Sequence, residues 1–205
     1  MNADSDIIKT LIERVARCVI DHTDELSELD RAIGDGDHGL NMKRGFEEVL
    51  VMLDETAEKP VPDALKSVGM TLVTKVGGAS GPLYGTLFMT LGKSLPAENL
   101  RGADVAHAVG AAIDAVKARG RSEQGQKTML DVLVPVHEAL GEGTDLRIAE
   151  LRPLAARAAE ATIPMLALKG RASFLGDRSI GHMDPGARSC ALIVDAICEV
   201  LESHG

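Results

Sequence analysis

Aromatic residues are scarce in this 205-residue chain, where they make up 2% of the positions, and Trp does not occur at all. The apolar fraction of 45% therefore comes mainly from Ala, Leu, Val, Ile and Met, which predicts a globular protein with an aliphatic core. A basic balance is lacking too, since the net charge is −9, and this argues against nucleic acid as a partner.

Signals for membranes and secretion are also missing. No apolar run approaches the ~20 residues that a membrane-spanning helix needs. The start of the chain, Met1–Asp6, is acidic and lacks the basic-then-apolar form of a signal peptide. Cys18, Cys190 and Cys198 have neither metal-ligand spacing nor the even count of a disulfide framework. We therefore expect a cytoplasmic protein with buried free thiols and no membrane partner.

The alternation of apolar and polar residues that marks β-strands is not found either, whereas apolar residues recur at helical spacing. This pattern predicts an all-α protein that forms a single domain over residues 1–205, with about eight helices. Periodicity alone leaves open whether the helices form a bundle, a barrel or a solenoid. The first helix, capped by Ser5 or Asp6, leads into an acidic stretch at 21–30. The others are predicted from 37 or 38 to a break at 58–60, and at 63–76, 83–95, 103–118, 128–140, 148–168 and from 184 onward.

The most unusual stretch is Asp30–Gly39, which holds three carboxylates, a histidine and three glycines. Acidic side chains this close together repel one another unless a cation lies between them, and oxygen ligands suit Mg²⁺ or Ca²⁺. We therefore interpret Asp30, Asp35 and Asp37 as ligands of a magnesium site that also meets phosphate. An acidic turn in which Asp37 caps the next helix would explain one aspartate but not all three.

Two familiar motifs nearly match this stretch and then fail. Its glycines have the spacing of the dinucleotide-binding fingerprint, but no apolar strand precedes them. A calcium-binding EF-hand loop counted from Asp35 requires Gly and Glu where Leu40 and Phe46 stand. Neither a Rossmann domain nor an EF-hand is therefore expected.

Three further glycine-rich loops, at 77–85, 120–126 and 169–183, separate later helices. The first contains Ser80, and its backbone N–H groups can bind phosphate. Taken by itself, however, this segment is better explained as an ordinary turn between helices. It lacks the Lys-Ser/Thr ending of a P-loop. In the last loop, Arg171 or Arg178 can bind phosphate bidentately.

With the aspartate loop, these loops occupy alternate helix junctions. In an up-and-down arrangement of helices, alternate junctions lie at the same end. We therefore predict that the polar, glycine-rich segments gather at one end of an apolar cylinder of helices.

Five of these segments, taken in order, resemble one family over nearly the whole chain. Residues 34–39, 77–85, 127–131, 170–173 and 184–187 are similar to the nucleotide-binding (L) subunit of dihydroxyacetone kinase. The resemblance implies a closed barrel of eight antiparallel amphipathic helices with the nucleotide site at one end. It also implies that Asp30, Asp35 and Asp37 bind Mg²⁺. The residues implied to contact ADP or ATP are His38, Gly39, Leu40, Asn41, Ala79, Ser80, Gly120, Met129, Arg171, Asp184, Pro185 and Gly186.

The implied activity is phosphoryl transfer to dihydroxyacetone, or to a related short ketose, held on a partner subunit. Nothing in the chain resembles that substrate-binding subunit, and no catalytic residue is assigned here. In the version that we favour, ADP stays bound and is rephosphorylated by a phosphohistidine-carrying donor protein. Alternatively, ATP exchanges as an ordinary substrate. Two other classes stay open, a non-catalytic nucleotide-sensing adaptor and a helical carrier of an apolar ligand.

Overall fold

The computed structural model describes residues 3–98, 100–141 and 148–204. In these ranges the chain forms α-helices, one 3-10 helix and no strand, which confirms the all-α prediction. None of the described helices has the length and apolar character needed to cross a bilayer. The elements are α1 Ala3–Asp21, α2 Thr23–Ile33, α3 His38–Val51, α4 Leu53–Ala57, α5 Val61–Lys75, α6 Ser80–Ser94, α7 Gly102–Gly120, α8 Leu130–Gly141, α9 Ile148–Glu160, the 3-10 helix Arg171–Ser179 and α10 Pro185–His204.

Eight of the α-helices pack in a closed cycle. The cycle runs from α1 to α3, through α5, α6, α7, α8 and α9 to α10, and α10 packs back against α1. The shorter helices α2 and α4 lie beside it, with α2 against α3 and α10, and α4 against α1 and α5. This cycle of contacts is what a barrel of eight helices requires, and the antiparallel course of neighbouring helices stays a prediction.

The core inside the cycle is aliphatic, as its composition predicts. Its members come from all eight helices, and Phe46, Tyr84 and Phe88 are its aromatic members. The three cysteines are buried and free, as expected. Small and medium side chains therefore fill the interior, and the helices pack closely.

The sequence-based boundaries are wrong in several places. Most of the acidic stretch at 21–30 belongs to a separate helix, α2, which begins at Thr23 because the backbone leaves helical geometry at His22 (φ −97°, ψ 18°). The predicted second helix divides at Met52 into α3 and α4. The seventh ends at Glu160, not at 168, and Pro164 is a physical reason for this early end, because its ring cannot continue a helix.

The helix starts differ by a few residues. Helix α1 already begins at Ala3, before the caps expected at Ser5 or Asp6. Helix α6 begins at Ser80 rather than at 83, so Ser80 lies in its first turn, where N–H groups are free to bind a ligand.

Helices α5 and α6 approach each other so closely that only glycine fits at their crossing. A Cβ atom on Gly85 would lie 2.2 Å from Cγ2 of Val73 and 2.9 Å from the carbonyl oxygen of Gly69. The short turn between the two helices, residues 76–79, leads directly to Ser80, so this close packing also positions that turn.

We expect Gly85→Ala to lower the free energy of unfolding by about 1–3 kcal/mol, because the added methyl group meets both a side chain and backbone. Chemical denaturation followed by circular dichroism measures this. The control is Gly102→Ala at the start of α7, where a Cβ meets nothing within 4 Å. Equal stability of the two variants would contradict the close-packing argument.

Candidate functional site

A cavity of about 540 Å³ lies where four helix junctions meet. Its walls come from the α2–α3 turn, the α5–α6 turn, the α7–α8 connection and the α9–α10 connection, as the junction argument predicts. Twelve of the fifteen site residues predicted from the sequence line it. They are Asp30, Asp35, Asp37, His38, Ala79, Ser80, Gly120, Met129, Arg171, Asp184, Pro185 and Gly186.

The other three predicted residues do not line the cavity. Gly39 is buried in the first turn of α3, the helix that packs against α2. Leu40 is 61% exposed, and the Oδ1 atom of Asn41 accepts a hydrogen bond from Arg44 at 3.1 Å. Their contacts with a nucleotide stay a prediction that the cavity walls do not support.

The three aspartates come together as expected for a cation site. Asp30, Asp35 and Asp37 each place one carboxylate oxygen within 4.8 Å of the other two. Oxygen ligands around Mg²⁺ at about 2.1 Å lie at most ~4.2 Å apart, so a small side-chain movement would bring the three to that spacing. An all-oxygen set of this kind fits a hard divalent cation.

Asp30 also organises the loop itself. Its Oδ2 atom accepts hydrogen bonds from the backbone N–H groups of Asp37 at 2.8 Å and His38 at 3.1 Å. Asp30 therefore caps α3, whereas the side chain of Asp37 makes no capping bond. Glycine is needed at Gly34, because a Cβ there would lie 2.1 Å from Oδ1 of Asp30. One oxygen of Asp30 thus holds the loop at the start of α3.

A positive charge from the α9–α10 connection contacts the aspartates. The Nη2 atom of Arg171, at the start of the 3-10 helix, lies 3.0 Å from Oδ2 of Asp35. The guanidinium side chain is 68% exposed, so the pair adds little stability and its partners can exchange. Arg178, the other candidate arginine, does not line the cavity.

A buried chain of polar side chains supports the wall between the aspartates and α6. The Nδ1 atom of His38 lies 3.0 Å from the hydroxyl of Ser80, and Nε2 lies 3.0 Å from the hydroxyl of Ser189. Ser189 also lies 2.6 Å from the Tyr84 hydroxyl and 2.9 Å from the carbonyl oxygen of Pro185. These contacts join α3, α6 and α10 beneath the cavity.

The chain of contacts assigns the proton on His38. A carbonyl oxygen can only accept, so the Ser189 hydroxyl donates to Pro185 and the Nε2–H group of His38 donates to Ser189. The Nδ1 atom then accepts from Ser80. Burial lowers the pKa of His38, against the opposing effect of Asp30 and Asp37, so the ring stays neutral around pH 7. His38 therefore fixes Ser80.

Two neighbouring segments of the cavity wall are capped by their own aspartates. Asp131 accepts the N–H of Thr128 at 2.7 Å, and the hydroxyl of Thr128 accepts that of Leu130 at 3.2 Å, so these two side chains cap α8. Asp184 caps α10 by accepting the N–H of Ala187 at 2.7 Å. Burial raises the pKa of Asp184 to about 7, and the charge of Asp131 acts in the same direction.

Sequence reasoning gave no role to several residues at the site. Lys127 begins one of the segments that carry the family resemblance, and in the structure it lines the cavity wall and is 1% exposed. Arg119 and Lys169 add two further cationic side chains to the lining. For Ser189 the sequence offers one indication of a place near the site: it stands one helical turn after the capped start of α10.

The cycle of helices and this cavity define an all-α protein whose candidate site combines oxygen ligands for a cation with cationic groups for an anion. A family model described as the DAK2 domain matches residues 32–199. The chain therefore belongs to the DAK2 domain family, which confirms the resemblance drawn from its motifs.

Several relatives are kinase subunits by name. The chain is 45% identical over 174 residues to PEP-dependent dihydroxyacetone kinase 1, ADP-binding subunit DhaL, of Listeria innocua, covering 85% of each protein. It is 44% identical over 179 residues to the PEP-dependent subunit DhaL of Escherichia coli, covering 84% of this chain and 85% of that one. For the PTS-dependent subunit DhaL of Lactococcus lactis, identity is 41% over 176 residues, covering 86% and 87%.

A solved structure shares the fold. Dihydroxyacetone kinase from C. freundii in complex with AMP-PNP and Mg²⁺ matches with a TM-score of 0.76 and 25% identity. The match covers 95% of this chain and 34% of that one, so this chain spans about a third of that enzyme.

The raised pKa of Asp184 predicts a pH-dependent stability. Between about pH 4 and 7 the unfolded carboxyl group is ionised while the folded one keeps its proton, so stability falls as pH rises through this window. The fall is on the order of a few kcal/mol and levels off above pH 7. Asp184→Asn keeps a capping side chain but cannot ionise, so we expect a smaller fall.

Denaturation midpoints of the ligand-free protein between pH 4.5 and 8, a window chosen around that pKa, measure this effect. Asp114→Asn, at an exposed position on α7, is the matched control and should follow the wild type. A pH dependence in Asp184→Asn that equals that of the wild type would exclude Asp184 as its source.

Proposed function

We propose that this protein is the nucleotide-binding subunit of a dihydroxyacetone kinase. It would bind ADP with Mg²⁺ and transfer a phosphoryl group to dihydroxyacetone, or to a related short ketose, held on a partner subunit. The observation that carries the proposal is the meeting of the aspartate cluster, Arg171 and the start of α6 in one cavity. Names of relatives at 41–45% identity, which describe ADP-binding kinase subunits, support it.

In this proposal each wall of the cavity has its own task. Asp30, Asp35 and Asp37 hold Mg²⁺, which when bound neutralises charge on the terminal phosphates. The free N–H groups at the start of α6, beside Ser80, bind phosphate oxygens. Arg171 adds a fixed positive charge to the same region.

The base and ribose would lie toward the remaining wall. Met129 offers an apolar surface there and is 4% exposed, while Gly120, Pro185 and Gly186 leave room for a flat ligand. A polar phosphate side and a less polar base side are what a nucleotide requires.

The partner subunit would supply the groups that act on the ketose. His38 is the histidine of the cavity lining, and both of its ring nitrogens are already hydrogen-bonded. It is therefore unsuited to accept a proton from a substrate hydroxyl. We place the activity in the cytoplasm, consistent with three free, buried cysteines.

For the phosphoryl donor we propose a phosphohistidine-carrying protein that rephosphorylates bound ADP. The names of the relatives, which are PEP-dependent or PTS-dependent, support this version. The alternative donor is free ATP. The C. freundii enzyme, whose structure was solved with AMP-PNP, supports this alternative.

Asp35→Asn and Asp37→Asn test the metal site. Each change removes a negative charge from the cation ligands, so we expect the Mg²⁺-dependent part of ADP affinity to fall by about tenfold or more. Isothermal titration with ADP, with and without Mg²⁺, measures this. Product formation with the partner subunit should fall in parallel.

The matched control is Asp54→Asn, since that carboxylate is 87% exposed and pairs with Lys9. It should titrate like the wild type. If both site variants bind Mg²⁺ and ADP normally and still support phosphorylation, the metal assignment is wrong. Normal nucleotide binding by the wild type with no phosphorylation in the presence of the partner would favour a sensing adaptor.

A retention experiment separates the two donor versions. If ADP is a resident cofactor, the protein purifies with nucleotide that resists dialysis, and a phosphohistidine donor protein regenerates activity without added ATP. Chromatography of the nucleotide released on denaturation measures the retained amount. Rapid exchange of labelled ADP with bulk ATP would favour ATP as the ordinary substrate.

A further inference from the structure

The side chain of Lys127 is held in an unusual way. It is 1% exposed, and its backbone adopts a left-handed conformation with φ at 61°. Its ammonium group donates to the carbonyl oxygen of Ser179 at 2.6 Å, of Met165 at 3.1 Å and of Ile163 at 3.5 Å. A lysine ammonium has three N–H donors, so these carbonyls use all of them.

All three acceptors belong to the α9–α10 connection, residues 161–184. Further hydrogen bonds shape this segment. Among them, the N–H of Gly181 donates to Ile163 at 2.8 Å, that of Leu168 to Gln126 at 3.2 Å, and that of Ala167 to the hydroxyl of Ser179 at 3.0 Å. The segment buries few apolar side chains: its Ala167 and Ala172 pack against Ile33 of α2 in a small cluster. Lys127 is thus a charged tether between the α7–α8 and α9–α10 connections.

The tethered segment carries Arg171 to the aspartates. Ile163 and Met165 precede Arg171 in the chain and Ser179 ends its 3-10 helix, so Lys127 holds both flanks of that helix. The guanidinium is mostly exposed, so the course of the backbone sets its place beside Asp35. A shift of the connection would move Arg171 away from the aspartate side of the cavity.

We infer that Lys127 is a positioning residue that sets the place of Arg171 over the phosphate-binding side of the cavity. A buried ammonium is costly unless its hydrogen bonds are satisfied, and here they are satisfied by backbone that carries a site residue. The inference rests on the proposed function, because Arg171 matters only where an anionic ligand binds.

A double-mutant cycle tests this role. Lys127→Met, Arg171→Ala and the double variant are titrated with ADP in the presence of Mg²⁺. We expect each single change to weaken ADP binding by about tenfold, the size of one charge-assisted contact. Because Lys127 acts through Arg171, the double variant should bind no more than ~2-fold more weakly than Arg171→Ala. Losses that multiply to about a hundredfold would overturn the inference.

Stability is followed separately, because removing Lys127 leaves three carbonyl groups without their donor. A merely structural role lowers the thermal midpoint but leaves the two effects on ADP affinity multiplicative. If Lys127→Met does not fold, Lys127→Gln, which keeps two amide donors, is taken through the same cycle. Lys93→Met, at an exposed position in the last turn of α6, should bind ADP like the wild type.

The same titrations distinguish a failure of the proposed function from a failure of the positioning role of Lys127. A wild-type protein with no affinity for ADP and Mg²⁺ would contradict the proposed function itself. A wild-type protein that binds them, with multiplicative losses in the cycle, contradicts only the positioning role of Lys127.

Discussion

Small side chains set how closely the helices of this protein pack, and the rest of the structure depends on that packing. With few aromatic residues, the interior is filled by aliphatic groups, and glycine at Gly69 and Gly85 lets α5 and α6 meet backbone to backbone. Eight helices can then close into a cycle around a narrow core. The turns at one set of junctions are drawn together as a result, and residues from distant parts of the sequence come to line one cavity.

Electrostatics at that cavity are balanced by groups of different kinds. Three carboxylates converge, and backbone N–H groups on Asp30 and the guanidinium on Asp35 offset part of their repulsion. The Arg171 pair is exposed and weak, so it can be exchanged for a cation at the aspartates and an anion at the arginine. A bound cation together with an anion, such as Mg²⁺ with a nucleoside diphosphate, would neutralise the aspartates and Arg171 at the same time.

Much of this could be predicted from the sequence because the decisive signals are local. Apolar stripes at helical spacing identify the helices, and three aspartates among glycines predict the cluster that we propose as a cation site. Lys127 and the end of α9 could not be predicted in the same way. A lysine in a polar loop ordinarily faces water, and nothing local shows that carbonyl groups 36 to 52 residues further on surround it. The family resemblance implies that Leu40 contacts the nucleotide, but its side chain is mostly exposed. The position of a residue in a motif does not fix the direction of its side chain.

The two sides of the cavity are built with different rigidity. Asp30 is fixed to the start of α3 by the N–H groups of Asp37 and His38. Ser80, at the start of α6, is linked through His38 to Ser189 in the core of the cycle. Arg171 stands on a connection that buries little apolar surface and is held mainly by hydrogen bonds to its backbone. Segments of that kind open at lower free energy than packed helices. The aspartate side can therefore stay in place while the arginine side moves, which suits the proposed function, in which the cavity admits a nucleotide and then encloses its phosphates.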